Sequence, residues 1–568
     1  MQITRREVLK LGAMAGAGAF FSCRVRASRV RASPLPSVAL RPFVDPLPIP
    51  PVLTPSSVVD VHIRQIRQKL HRDLPPTLVW GYDGTYLGPT FDVRRGTPTE
   101  VRWLNDLPST HLLPIDHTIH GAESTLPDVR TVVHLHGAKV LADSDGYPEA
   151  WYTNGFGQTG PSFSRQVHHY PNDQAATMLW YHDHALGITR LNVYAGLSGV
   201  YLIRDAVEDA LNLPGGTFEV PLVFQDRSIN ADGSLNYPVQ GEGVPQTIPP
   251  IWVPEFFGDL GLVNGKIFPF LDVEPRKYRF RMLNASNARF LHLTLADSRN
   301  PLETLHFFQI GADQGFLPTP VELYDLLIGP AERHDVVIDF NGQQGKSFTL
   351  MNDAAAPFPS GGGVALPYLM QFRVSLPLSQ PDHPLPSQLA LVPLMDPDAA
   401  DRRRQLLLAE MADPTTGDPI VTMLGTAADG ALHWDSPVTE DPRAGSTEVW
   451  EFINTTSDAH PMHLHLVRFQ VLDRQKFDLN LYLSTGEISL IGPPEAPAAN
   501  ERPAWKDTVI VYPGDPANGV GSLTRVIQRF ELPSGASVPP GDMMQYVWHC
   551  HMLEHEDNEM MRPFNLMG

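Results

Sequence analysis

Cysteine is nearly absent: only Cys23 and Cys550 occur in 568 residues. Cys23 lies in a leader-like N-terminus, so an exported, mature chain would keep one thiol and could form no internal disulfide. After the leader no stretch approaches the ~20 apolar residues of a membrane span. Basic residues are also scarce, 43 Lys/Arg against 63 Asp/Glu. The first 32 residues hold seven of those bases and one of the acids, which leaves 36 against 62, or about −26. Such a surface disfavours nucleic acid and anionic membrane as partners. Helical periodicity is thin; instead 55 prolines and 44 glycines punctuate short runs such as Val509-Ile-Val-Tyr512, which read as strands of sandwiches or barrels. The composition implies a mainly β chain, long enough for about three domains.

The N-terminus reads Thr4-Arg-Arg-Glu-Val-Leu-Lys-Leu-Gly12, then a weakly apolar stretch, then Val-Arg-Ala27 and Val-Arg-Ala32. This is similar to a twin-arginine export signal, taken as residues 1–32. A disordered basic tail, or a lipoprotein cysteine at Cys23, is the alternative. With the leader removed, Cys550 stands alone in an oxidising compartment, where a free thiol is a liability unless sequestered.

Cys550 sits in His549-Cys550-His551-Met-Leu-Glu-His555-Glu-Asp-Asn-Glu-Met560. A thiolate, a spaced imidazole and a distal thioether are the ligand types of a blue-copper electron-transfer site. In an extended segment His549 and His551 point away from Cys550, toward a second metal centre. Three further motifs could supply that centre: His134-Leu-His136-Gly137, His182-Asp-His184, and His460-Pro-Met-His463-Leu-His465. Ten of the 22 histidines fall in these four motifs. One such pair alone is more often a hydrogen-bonded core feature, whereas four with a cysteine between two of the histidines are not. Trp180-Tyr181, Tyr546 and Trp548 precede two of the motifs and read as core packing rather than hole-hopping sites.

An internal repeat underlies the domain count. Glu100-Val-Arg-Trp-Leu-Asn105, Tyr278-Arg-Phe-Arg-Met-Leu-Asn284 and Glu448-Val-Trp-Glu-Phe-Ile-Asn454 each read as a strand ending in asparagine, 179 and 170 residues apart. The charged stretch near 205–209 and the Pro/Ser-rich then Asp/Arg-rich stretch from about 376 to 404 are candidate boundaries. This gives modules over 33–205, 206–375 and 376–568. The middle one offers only Phe290-Leu-His292-Leu after its asparagine, and reads as scaffold without ligands. The first and third must then face each other across the metal site.

In the order and spacing of its four motifs the chain resembles the multicopper oxidases, and within them the bacterial spore-coat laccase and bilirubin oxidase group. The likeness extends through Asp83-Gly-Thr-Tyr-Leu-Gly-Pro-Thr90, Ser144-Asp-Gly-Tyr-Pro-Glu-Ala-Trp151, Glu274-Pro-Arg-Lys-Tyr-Arg-Phe-Arg281 and Trp505-Lys-Asp-Thr508. It implies three consecutive cupredoxin-like Greek-key domains and four copper ions. His460, Cys550 and His555, with Met560 axial, would hold the type 1 copper. His134 and His463 would hold type 2. His136, His182 and His551 would hold one type 3 copper, and His184, His465 and His549 the other. Imidazoles alone could take zinc or iron; linkage to a thiolate site argues for copper.

Asp145 and Glu556 match carboxylates that line the oxygen channel and cluster in this group; capping or surface acids are the bland alternative. The resemblance further implies that dioxygen becomes water while a small aromatic donor, a phenol, amine or tetrapyrrole such as bilirubin, loses electrons one at a time. A monomer is expected. A cuprous or ferrous metallo-oxidase ranks second, because the 16 methionines are dispersed rather than clustered. An envelope scaffold of this fold ranks lower, since its mark is loss of the ligands. Cys550→Ser should therefore abolish the intense visible band and donor oxidation while leaving most of the fold; a blue variant would overturn the ligand assignment.

Overall fold

The computed structural model describes residues 39–55, 58–238, 252–412 and 419–568. The leader and Cys23 lie outside the described residues. Among the described residues there are six sheets, in three pairs. The first pair draws its strands from residues 52–204, the second from 219–374 and the third from 402–567. These are the all-β, cupredoxin-like sandwiches expected from the sequence. Among the described residues no helix is long and apolar enough to cross a membrane.

The asparagine repeat has a structural cause. In each module a strand pairs in parallel with its asparagine strand: Val59–Gln68 with Thr99–Asn105, Glu219–Arg227 with Lys277–Asn284, and Arg402–Ala412 with Thr447–Asn454. Each asparagine then turns the chain in the same way. Its Oδ1 accepts the backbone N–H two residues on, from Leu107, Ser286 and Thr456. Its Nδ2 donates across to a neighbouring segment, to the carbonyls of Tyr152, Ile328 and Tyr512. A short side chain carrying both donor and acceptor is needed, which is why all three strands end on the same residue.

Alternation along the strands gives each sandwich its core. Val61, Ile63, Trp80, Trp103 and Tyr181 fill the first. Phe452, Trp450, Met462, Trp548, Cys550 and Met560 lie in the third, so the thiol and the thioether share one apolar cluster.

The charged segment at 205–209, a candidate boundary in the sequence, is a built junction. Asp205 caps a short helix, Ala206–Ala210, by accepting from Glu208 N–H. The Glu208 carboxylate is buried against Arg279 and Arg281 of the middle module. Arg279 also forks onto Asp335, and Arg281 and Arg204 meet on Glu219. Removing one partner of a buried ion pair strands the other charge and costs about 3–5 kcal/mol. Arg279→Gln should lower the melting transition of the middle module in calorimetry while leaving the histidine-bearing elements of the other two intact.

Candidate metal centres

Two antiparallel ladders deliver the histidines. In the first module Val133–His136 pairs with Thr177–Asp183, with His134 opposite His182. In the third, His460–Leu464 pairs with Met543–Cys550, with His463 opposite His549 and Met462 opposite Cys550. The pairing places His549 and Cys550 on opposite faces, as alternation requires. The two modules meet ring on ring. His134 stacks on His465 with centroids 3.8 Å apart, and His136 on His463 at 3.6 Å.

The nitrogens and sulfur gather into four sets of three, each within 4.8 Å: His134, His136 and His463; His136, His182 and His551; His184, His465 and His549; and His460, Cys550 and His555. All ten rings and the thiol are buried. Met560 is fully buried as well, and its carbonyl accepts the Cys550 N–H at 3.0 Å. The structure thus brings together all ten histidines of the four motifs; it divides the pairs His182/His184, His463/His465 and His549/His551 between different sets, while His134 and His136 share one.

The ring nitrogens show what these sets can bind. His134, His182, His463 and His549 donate from Nδ1 to the carbonyls of Asp145, Asp183, Asp507 and Cys550 at 2.5, 2.8, 2.8 and 3.1 Å. His465 Nδ1 lies 2.6 Å from Asp145 Oδ2. With Nδ1 carrying the proton, each ring presents an Nε2 lone pair to the interior. The Nε2 atoms of His134, His182 and His463, and both nitrogens of His551, find no protein partner. Nε2 of His549 lies 3.3 Å from Nε2 of both His184 and His465. Lone pairs converging in a dry interior repel unless a cation lies between them, so the residues present fit a metal cluster.

The sulfur site has its own logic. His460 Nδ1 and His555 Nδ1 lie 3.6 and 3.9 Å from Cys550 Sγ. Thr456 Oγ1 occupies His460 Nε2 at 2.7 Å, which fixes that ring. Burial pushes the Cys550 thiol well above its usual range, so only a tightly held cation would keep it a thiolate.

Both predicted carboxylates reach the histidine cluster. Glu556 lies 3.1 Å from His549 Nδ1 and 3.6 Å from His184 Nδ1. Burial raises Asp145 well above the carboxylate range and Glu556 to about 7, with His184 pulling the latter back.

Sequence reading missed the residues that hold the ligands. Asp507 Oδ1 meets His136 Nε2 at 3.2 Å, and Arg333 and Gln314 of the middle module bind that carboxylate. At the sulfur site, Glu410 Oε1 lies 3.6 Å from His460 Nε2. Burial, with the nearby Asp458 and Glu410 carboxylates, pushes the Glu255 carboxyl well above its usual range. Asp507 lay in a quoted motif, Trp505-Lys-Asp-Thr508, without a role; the others carry no sequence signal beyond being charged. Trp180, expected as core, stacks on His182 with centroids 4.1 Å apart and so packs against the site itself.

Comparison with known proteins places these features in context. The family model described as Multicopper oxidase matches residues 409–567. Over 543 residues the chain is 46% identical to the laccase of Bacillus subtilis, spanning 93% of this chain and 99% of that protein. It is 37% identical over 564 residues to Multicopper oxidase LPR1 of Arabidopsis thaliana, with 93% of each covered. The crystal structure of the McoA multicopper oxidase from Aquifex aeolicus matches with a TM-score of 0.70 at 26% identity, over 92% of this chain and 99% of that one.

Burial lowers the pKa of all ten rings. The unfolded chain, with histidines titrating near about 6.5, therefore binds more protons below that pH, and this contribution to stability is lost as pH falls. Buried Asp145, Asp183, Glu554, Glu556 and Asp557 shift upward and act oppositely, losing stability as pH rises through about 6 to 7. Glu255, Glu332, Glu410, Glu440 and Asp458 shift upward as well, so rings and carboxyls oppose each other down to the ordinary carboxyl range near about 4. Below it the carboxyls are protonated in both states while the rings take protons mainly in the unfolded chain, so the metal-free protein should melt lower as pH falls from about 4.5 to about 3; a flat profile there would contradict the neutral, buried state of the rings.

Proposed function

Because the chain belongs to the multicopper oxidase family, and is thus a copper-dependent oxidoreductase that uses oxygen, we propose that it works as a laccase. It would be an exported monomer with module boundaries near 205 and 375, oxidising phenols, aromatic amines or tetrapyrroles such as bilirubin. Four coppers would be held, type 1 by His460, Cys550 and His555 with Met560 axial, and type 2 by His134 and His463. His136, His182 and His551 would hold one type 3 copper, and His184, His465 and His549 the other. Bound copper supplies one-electron acceptance at the sulfur site and the multi-electron reduction of dioxygen at the cluster. The carrying observation is the set of unpartnered Nε2 atoms converging beside a buried thiol flanked on both sides by cluster histidines.

The chain's own residues do the rest. Cys550 is bonded through the backbone to both His549 and His551, which gives electrons a covalent route between the two sites. Asp145 and Glu556, buried against His465, His184 and His549, would hold protons for the oxygen atoms being reduced. Thr456 fixes the His460 ring on the donor side.

A second reading has one observation in its favour. Glu255, Glu410 and Asp458 are only partly covered and lie about His460, and burial pushes Asp458 up to about 6. Three acids at the electron-entry side favour cationic donors, including ferrous or cuprous ions. Steady-state kcat/KM of the copper-loaded protein for a dimethoxyphenol, bilirubin, Fe(II) and Cu(I) decides between them. The laccase reading expects the organic donors to lead. Dominance of the metal ions, with Asp458→Asn lowering kcat/KM about tenfold for those ions alone, would replace it with the metallo-oxidase reading.

A further inference from the structure

The middle module brings no ligand to the cluster, yet one of its side chains reaches it. Arg333 opens the strand Arg333–Asp339 and is fully buried. Its guanidinium forks onto Asp507, with Nη1 2.7 Å from Oδ1 and Nη2 on Oδ2. The fork is itself fixed. Arg333 Nε donates to the Met178 carbonyl, Nη2 also donates to the Asp313 carbonyl, and the Arg333 backbone N–H donates to Asp313 Oδ1 at 2.8 Å. Lys506 Nζ, 3.1 Å from Asp313 Oδ2 and 2.9 Å from Glu332 Oε1, ties the same loops to the third module.

What Asp507 does with its remaining capacity matters at His136. Asp507 Oδ1 and Thr508 Oγ1 each lie 3.2 Å from His136 Nε2, and Thr508 spends its own proton on Asp507 Oδ1. Nε2 therefore faces only acceptors and must carry the ring proton. His136 is thereby set apart from the five rings anchored through Nδ1: its free lone pair is on Nδ1, which has no partner. The Asp507 carbonyl meanwhile anchors His463 Nδ1. One residue thus orients a ring in each of two neighbouring ligand sets. Gln314 Nε2 bridges Asp507 Oδ2, at 2.6 Å, and the Gly137 carbonyl, at 2.7 Å. Space here is fully used: at Gly137, with φ +84, an added Cβ would lie 2.4 Å from Asp507 Oδ2.

We propose that Arg333 is a positioning residue for the copper cluster, acting from the middle module through Asp507 to fix which nitrogen His136 offers to metal. The proposal rests on the multicopper reading above. Partners of this kind change metal affinity or activity about 10–100-fold when removed. The test uses the full-length, copper-loaded protein. Wild type, Arg333→Gln, Asp507→Asn and the remote buried-pair variant Arg279→Gln are titrated with EDTA while copper per chain, the blue absorption and the EPR signal of the non-blue copper are followed.

Arg333→Gln should release cluster copper at about 10–100-fold lower EDTA and change the non-blue EPR signal, with the blue band kept. Asp507→Asn breaks the same pair from the other side and should show the same signature; it carries the test alone if Arg333→Gln does not fold. Arg279→Gln should melt lower with wild-type EDTA resistance and EPR. Arg333→Gln or Asp507→Asn with the behaviour of Arg279→Gln would overturn the proposal, reducing Arg333 to a structural ion pair. A wild-type protein that binds no non-blue copper would instead overturn the functional reading.

Discussion

Eight imidazoles are packed dry where two sandwiches meet, with lone pairs aimed at one another. Everything else in the structure accommodates that. Without a cation His549 Nε2, 3.3 Å from the Nε2 atoms of both His184 and His465, gains nothing from proximity. The apolar cores beneath them must hold the strands in place regardless. The first and third modules bring His134 onto His465 and His136 onto His463 as stacked pairs, and residues 137–462 of the chain separate the inner pair. The long intervening segment is therefore a positional requirement. Its role is to make a fixed junction, and the buried Glu208, Glu219 and Asp335 with Arg204, Arg279 and Arg281 supply a rigid one.

The fold class and the histidines and cysteine that gather in the structure were legible in the sequence because each rests on local pattern. Strand alternation fixes the face of every second residue, so His134 with His136, and Cys550 between His549 and His551, could be read without knowing the tertiary structure. The asparagine repeat was legible for the same reason, since Asn105, Asn284 and Asn454 each close a local turn. Residues whose roles depend on long-range contact were not. Asp507 meets His136 across 371 residues and Arg333 across 174. Nothing adjacent to Arg333 in sequence distinguishes it from any other strand arginine. At 205–209 charge marked a candidate boundary but not its construction: Glu208 is buried because its counter-charges, Arg279 and Arg281, come from a strand 71 and 73 residues on.

The carboxylates around the cluster divide by their counter-ions. Asp507 is gripped by the Arg333 fork and by Gln314, so its charge is neutralised in place and its geometry fixed. Asp145 and Glu556 have no lysine or arginine against them; their near neighbours are histidines, and burial raises both. A carboxylate gripped by a guanidinium fork is fixed in place, which suits it to orienting a ring. One paired only with imidazoles can take up and release a proton at modest cost, which suits it to supplying oxygen chemistry under the proposed reading. Two of these three acids could be picked out from the sequence by motif, but what separates their surroundings from those of Asp507 is the arginine opposite, and that residue comes from the middle module.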